Sequence, residues 1–168
     1  MRIAIAKEIE VGERRVALIP DMVARLVKQG LEIWVEAGVG EASFFSNHAY
    51  AEAGAKIISD TATLWGEADV VLKVAVPKEH EINQLREGSV LISFLSPLAQ
   101  PELAQQLANR KVTAFSMELI PRTSRAQSMD ALSSQAGVAG YKAVLIAAAA
   151  LPKFFPMLTT AAGTIKPA

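Results

Sequence analysis

Asp69-Val-Val-Leu-Lys-Val74 is short and nearly all apolar, and Ser89-Val-Leu-Ile-Ser-Phe-Leu95 is a second run of the same kind. Apolar runs of this length without polar alternation are what strands covered on both faces show. Working outward, Arg2–Ala6, Glu32–Glu36 and Lys56–Ser59 read as three strands before them, and Val112–Ser116 as a sixth after them. Helical patterns lie between. One opens at Pro20 and closes at Gly30, with proline in the first turn and glycine just past the end. A short one covers Asn47–Ala53 and stops at Gly54, and another runs from Pro101 to Arg110. Strands alternating with helices predict an α/β fold, a mostly parallel sheet with helices on both faces. Such sheets bind ligands beyond the carboxyl ends of their strands. The loops after Ala6, Val74, Leu95 and Ser116 are therefore where chemistry is expected.

The bulk properties narrow the function classes. The 168 residues suffice for a domain with a sizeable core. Hydrophobic residues make up 51%, so large apolar faces are buried internally or await a partner. Seventeen basic and 17 acidic residues balance, which argues against a broad electrostatic grip on nucleic acid or an anionic membrane. The lack of cysteine excludes disulfides and thiolate metal sites, and two histidines, His48 and His80, do not suggest a metal centre. Both histidines read as surface residues. The apolar start is too short for a signal peptide, and Ala143–Leu151 is far below the roughly 20 residues of a spanning helix. A soluble, cytosolic protein is expected.

Past the sixth strand the character changes. Glu118 to Asp130 is polar and turn-rich, and a long small-residue helix follows from about Ala131 to Ala150, with Gly137 and Gly140 three apart. The tail, 156–168, reads as a linker, so the predicted division is a domain at 1–155 and a linker at 156–168. Two segments could carry chemistry. In Gly12-Glu-Arg-Arg-Val16, Arg15 could grip a carboxylate through its planar fork, or Arg14 and Arg15 could pair with Glu8 or Glu13 and only shape the loop. In Arg122-Thr-Ser-Arg-Ala-Gln-Ser-Met-Asp130, Asp130 or Ser128 could cap the long helix. Alternatively, Gln127 and Asp130 could hold a carboxamide, which offers one acceptor and two donors, while Arg122 stabilises negative charge. No Gly-x-Gly-x-x-Gly follows a strand and no P-loop is present.

These segments together resemble one family. Lys7-Glu8, Glu13-Arg-Arg-Val-Ala-Leu-Ile-Pro20 and Leu26-Val-Lys-Gln-Gly30 resemble the N-terminal signature of alanine dehydrogenases and NAD(P) transhydrogenases. Pro121-Arg-Thr-Ser-Arg-Ala-Gln-Ser-Met-Asp-Ala-Leu-Ser-Ser-Gln135, Ala139-Gly-Tyr141 and Pro156-Met-Leu-Thr-Thr-Ala-Ala-Gly-Thr-Ile-Lys-Pro167 resemble the transhydrogenase version. Two departures separate the relatives. Where alanine dehydrogenases carry a substrate lysine, this chain has Ala75, and where they carry a catalytic histidine it has Ser96. Reductive amination needs proton transfer, whereas transhydrogenation passes hydride between two nicotinamides. Without its partners, Arg15 reads as structural.

The resemblance implies a flavodoxin-like or Rossmann-like fold, and a glycine-fingerprint Rossmann subdomain, not contained in this sequence, that begins just after Ala168. It implies part of the NAD(H)-binding component of a proton-translocating transhydrogenase, an oxidoreductase and translocase. Arg122, Gln127 and Asp130 are then the catalytic candidates, with Ser128, Met129 and Ser133 joining Gln127 and Asp130 in binding NAD(H). NADP(H) is expected on a separate domain, beside membrane domains, with the component homodimeric and peripheral on the cytoplasmic face. The isolated stretch is expected to be inactive and to bind NADH weakly. The alternatives are an alanine-type amino-acid dehydrogenase domain and a non-catalytic dimerisation or binding module.

Overall fold

The computed structural model describes every residue from Met1 to Ala168. The chain divides into two compact units, Met1–Ile120 and Pro121–Ala168.

The first unit holds six strands, β1 (Arg2–Ile5), β2 (Glu32–Glu36), β3 (Lys56–Ile58), β4 (Val70–Leu72), β5 (Val90–Ser93) and β6 (Thr113–Ser116). All are parallel, in the order β3-β2-β1-β4-β5-β6. That is the Rossmann order; the flavodoxin order would be 2-1-3-4-5. Of the flavodoxin-like or Rossmann-like fold expected, the chain takes the Rossmann-like order. Hydrophobic pattern shows which runs are strands, but not the side of β1 on which the third one lands. The order reverses between β1 and β4, and the crevice there is the expected ligand position.

Side chains alternate across the sheet, so the central strands β1 and β2 feed two cores. Ile3, Ile5, Ile33 and Val35 face one side, with Val23 of α1 (Pro20–Lys28) and Tyr50 of α2 (Asn47–Glu52). Ala4, Ala6, Trp34, Val71 and Leu91 face the other. They pack with Leu64 and Trp65 of α3 (Thr61–Glu67), Ile82 of α4 (Glu79–Ile82) and Leu103 and Leu107 of α5 (Pro101–Asn109). Helices therefore cover both faces, as expected from the alternation. Phe115 of β6, paired in register with Ile92, stays exposed. Helices α3 and α4 are not among the elements expected from the sequence. Asp60 nonetheless caps α3 through the amides of Ala62 and Thr63.

The β2–α2 turn depends on one glycine. Gly40 has an ordinary φ of −94°, so space is what it supplies. A Cβ there would lie 2.7 Å from both the Phe45 carbonyl oxygen and Tyr50 Cε2. Tyr50 cannot move aside, because it is buried and its hydroxyl donates to the Leu18 carbonyl at 2.8 Å. We expect Gly40→Ala to cost about 1–3 kcal/mol by overpacking, read as an earlier urea midpoint with an unchanged slope. An unaltered midpoint would show that the turn yields freely.

The second unit contains a 3-10 turn (Gln127–Met129), α6 (Ala131–Ala150) and an antiparallel pair, β7 (Leu158–Thr160) with β8 (Gly163–Ile165). The two compact units meet at Ile120, whereas the sequence reading set a domain at 1–155 and a linker at 156–168; residues in that last segment form a hairpin. Its turn is local chemistry: the Thr160 hydroxyl donates to the Gly163 carbonyl and accepts from the Ala162 amide, while Gly163 takes φ +125°. Helix α6 spans the predicted residues. No residue of it is buried, and Val138, Tyr141, Val144 and Ile146 are exposed. A helix apolar all round ordinarily lies inside a larger structure. No helix is long and apolar enough to cross a membrane.

Candidate functional site

At the carboxyl edge of the sheet, the loops named from the sequence do converge, and the chain's own carboxylates fill the crevice. Glu8, just after β1, accepts from the amides of Val74 (2.6 Å) and Ala75 (3.1 Å) beyond β4. It also meets Lys73 Nζ at 3.1 Å, and Glu81 of α4 meets the same nitrogen at 3.2 Å. The three side chains are 1, 4 and 5% exposed for Lys73, Glu8 and Glu81. A third acceptor, the Lys7 carbonyl oxygen, lies 3.2 Å from Nζ. The ammonium thus donates to Glu8 and the Lys7 carbonyl and forms an ion pair with Glu81. The sequence singles out neither Lys73 nor Glu81. Its only signal is that a charge ending an apolar strand must find a buried partner.

The same device recurs along the edge. Glu36, ending β2, accepts from the Lys7 amide at 2.7 Å and from the Thr61 hydroxyl at 2.9 Å. Glu118, after β6, accepts from the Leu95 amide at 3.0 Å and from the Ser96 amide beyond β5. Partial burial pushes the Glu118 carboxyl up, but its own amide and those of Ser96 and Leu95 outweigh this and hold it below the ordinary carboxylate range. Backbone donors that could cradle a phosphate are thus already taken.

Of the first candidate segment, the structure realises the shaping role. Arg15 is bidentate to Glu13, at 2.9 and 2.6 Å, and lies over the Phe94 ring at 5.9 Å. The hydrogen bonds that Arg15 donates to Glu13 raise the Arg15 pKa, and the same bonds lower that of Glu13. Arg14 donates to the Ala42 carbonyl and stacks over Phe44. Ala75, where a substrate lysine would stand, has its amide on Glu8 and its carbonyl on the Ser93 hydroxyl at 2.9 Å. His48 makes an exposed pair with Glu52.

The second unit gathers the other candidates. A pocket of about 270 Å³ is lined by Arg122, Thr123, Ser124, Gln127 and Asp130. Arg122, Gln127 and Asp130, the three catalytic candidates, therefore share one cavity. Turns close the loop, with the Ala126 amide on the Thr123 carbonyl and the Asp130 amide on the Gln127 carbonyl. Met129 is exposed, and Ser128 lies beside it in the 3-10 turn. Ser133 does not line the pocket. Its amide (3.0 Å) and hydroxyl (2.6 Å) both donate to Asp130, so Asp130 caps α6 as well as lining the cavity.

The hydrogen bonds from Ser133, aided by the Arg122 charge, hold the Asp130 carboxyl below its ordinary value. A carboxyl lowered in the folded state stabilises at pH above its unfolded value, about 3.9. That contribution fades as pH falls through the depressed folded value. We expect the Ser133 amide resonance to titrate with a midpoint below the ordinary aspartate range. A midpoint at or above it would mean the cap is not populated.

Fold and pocket together define a doubly wound α/β domain followed by a polar loop that opens a long helix. The chain belongs to the alanine dehydrogenase/PNT N-terminal domain family, whose description matches residues 4–139. It is 43% identical over 168 residues to NAD(P) transhydrogenase subunit alpha of Cereibacter sphaeroides, covering 100% of this chain and 32% of that one. Alanine dehydrogenase of Bacillus subtilis is 40% identical over 153 residues, covering 91% of this chain and 39% of that protein. The crystal structure of transhydrogenase from Sinorhizobium meliloti superposes with a TM-score of 0.94 at 42% identity, covering 100% of this chain and 50% of that one. The chain thus spans about half the length, or less, of the relatives it matches.

Proposed function

We propose that this chain is part of the NAD(H)-binding component of a proton-translocating NAD(P) transhydrogenase, and that its loop from Arg122 to Ser133 orients the nicotinamide. The single observation that carries the reading is the pocket in which Arg122, Gln127 and Asp130 meet, in a chain similar along its whole length to transhydrogenase subunits. The donor set fits a nicotinamide. Ionised Asp130 is acceptor-only and suits a carboxamide NH₂, and the Gln127 amide can donate to the carboxamide oxygen. The Arg122 guanidinium supplies fixed positive charge beside them. The cavity suits one ring with its amide and is small for a dinucleotide. When bound, the nicotinamide supplies the hydride, which passes to NADP+ held on a separate domain. The chain's own groups then position and need move no proton.

The rest of the assembly follows from the same reading. A glycine-fingerprint Rossmann subdomain would hold the pyrophosphate at a helix N-terminus. A second copy and the membrane domains complete the complex, with this component peripheral on the cytoplasmic face. The exposed apolar surface of α6 supports cover by such partners.

The test is an assay of the assembled protein with two substrates. We expect hydride transfer from NADH to an NADP+ analogue, and no alanine- or pyruvate-dependent NAD turnover. Ala75 offers no side chain to hold a keto-acid and Ser96 no imidazole to move a proton. Substantial alanine oxidation would replace this reading with that of an alanine-type dehydrogenase.

A further inference from the structure

We propose that Ser124 is a further binding residue for the nicotinamide carboxamide, accepting the N–H that Asp130 leaves unpaired. The role rests on the assignment of the Arg122–Ser133 loop to the nicotinamide. The winding of the loop is what points to it. Three backbone bonds, each spanning three residues, follow one another. The Ala126 amide donates to the Thr123 carbonyl at 3.0 Å, Met129 to Ala126 at 2.8 Å and Asp130 to Gln127 at 3.3 Å. Bonds of that span wind the chain at three residues per turn, so side chains three apart stand one above another. Ser124, Gln127 and Asp130 are spaced in this way, and all three line the pocket. The intervening Arg125, Ala126, Ser128 and Met129 do not. One side of the wound segment is therefore a polar ladder, with Ser124 as its first rung.

The chemistry of the lining groups assigns the rung a task. A carboxamide offers an oxygen that accepts and two N–H groups that donate. With Gln127 donating to the oxygen and Asp130 accepting one N–H, the second N–H still needs an acceptor. Asp130 already holds Ser133 on both of its oxygens, the amide at 3.0 Å and the hydroxyl at 2.6 Å. The Arg122 guanidinium only donates, so the acceptors left in the lining are the hydroxyls of Thr123 and Ser124. Thr123 lies off the ladder: residues 123, 126 and 129 share the next register, and neither Ala126 nor Met129 lines the pocket. Ser124 is exposed, and no hydrogen bond within the loop uses its hydroxyl. A donor left without a partner in a binding site costs more than a bond merely lost to water. Ser124 would therefore fix which way the carboxamide, and with it the ring, is turned.

The experiment uses the assembled complex with Ser124→Ala, and with Ser124→Thr, which keeps a hydroxyl. Two nucleotides are compared at the NAD(H) site. One is NADH, and the other is its reduced 3-acetylpyridine analogue, in which a methyl group replaces the carboxamide NH₂. Single-turnover transfer to an NADP+ analogue is measured for each, beside nucleotide affinity and the melting temperature. We expect Ser124→Ala to slow transfer from NADH about five- to tenfold, and to leave transfer from the acetylpyridine analogue within about twofold of the parent's. Ser124→Thr should keep most of the parent rate with NADH. Equal slowing with both nucleotides would mark a role in shaping the loop, and overturns the proposal. So does a parent-like rate of Ser124→Ala with NADH, or a threonine variant as slow as the alanine one. Arg122→Ala and Asp130→Asn run alongside. If they slow transfer from NADH while Ser124→Ala does not, only the Ser124 role falls. If none slows transfer, the reading of the loop falls with it.

Discussion

Asp130→Asn in the assembled complex is expected to slow hydride transfer by about 100-fold while NADH affinity changes by no more than a few-fold. The substitution is chosen because Asp130 does two things. It caps α6 through Ser133, and it lines the pocket with Arg122 and Gln127. Asparagine is as good an N-cap as aspartate, so the helix start should survive. The change falls on the pocket, where one acceptor oxygen becomes an NH₂ donor facing the carboxamide's own NH₂. Gln127→Asn should behave similarly by withdrawing its amide by one methylene. Most binding energy is expected from the pyrophosphate-binding subdomain, which is why affinity is spared. Stopped-flow transfer to an NADP+ analogue, with thermal melts of each variant, separates the cases. Normal rates with lowered melting temperatures would leave Asp130 as a cap and nothing more.

Lys73→Met should be the most destabilising single substitution in the sheet unit, by about 3–5 kcal/mol. The methionine fills nearly the same space, so little packing is lost. Two carboxylates then remain, Glu8 and Glu81, in a site where both are almost fully buried. Removing one partner of a buried ionic cluster leaves charge without compensation, which is why the cost exceeds the net worth of the intact cluster. Lys111→Ala is the control, since its partner Glu87 and the lysine are 65 and 69% exposed. Exposed pairs of that kind contribute little, and its melting temperature should stay near the parent's. Urea unfolding of the three proteins decides the matter. A Lys73→Met loss below about 1 kcal/mol would mean that water enters the crevice or that a carboxyl takes up a proton at no great cost. Because Glu8 also holds the amides of Val74 and Ala75, the same variant should loosen the loop beyond β4.

How legible each element was depends on the range of the interactions involved. The six strands and the helices α1, α2, α5 and α6 could be read because their signals are local: apolar runs, a proline at the first turn, a glycine after the last. Asp130 as a cap was likewise legible, because a side chain and the amide three residues on are fixed by the helix itself. The candidate loop was legible as a dense string of donors and acceptors, and as a resemblance. That Arg122, Gln127 and Asp130 share one cavity was not, because it depends on how the turns at Thr123 and Gln127 fold the string back.

By itself, then, the sequence determined an α/β domain with a polar loop and a long helix at its end, and its family. Only the tertiary structure decided the strand order β3-β2-β1-β4-β5-β6, the division at Ile120 and the hairpin in the tail. It also decided that the crevice beside β1 is filled from within. Lys73 meets Glu8 across 65 residues of chain, and Glu118 meets Ser96 across 22. Pairings at such separations leave no periodic trace in sequence; they exist because parallel strands bring the ends of distant segments to one edge, where buried charges and backbone amides must satisfy one another.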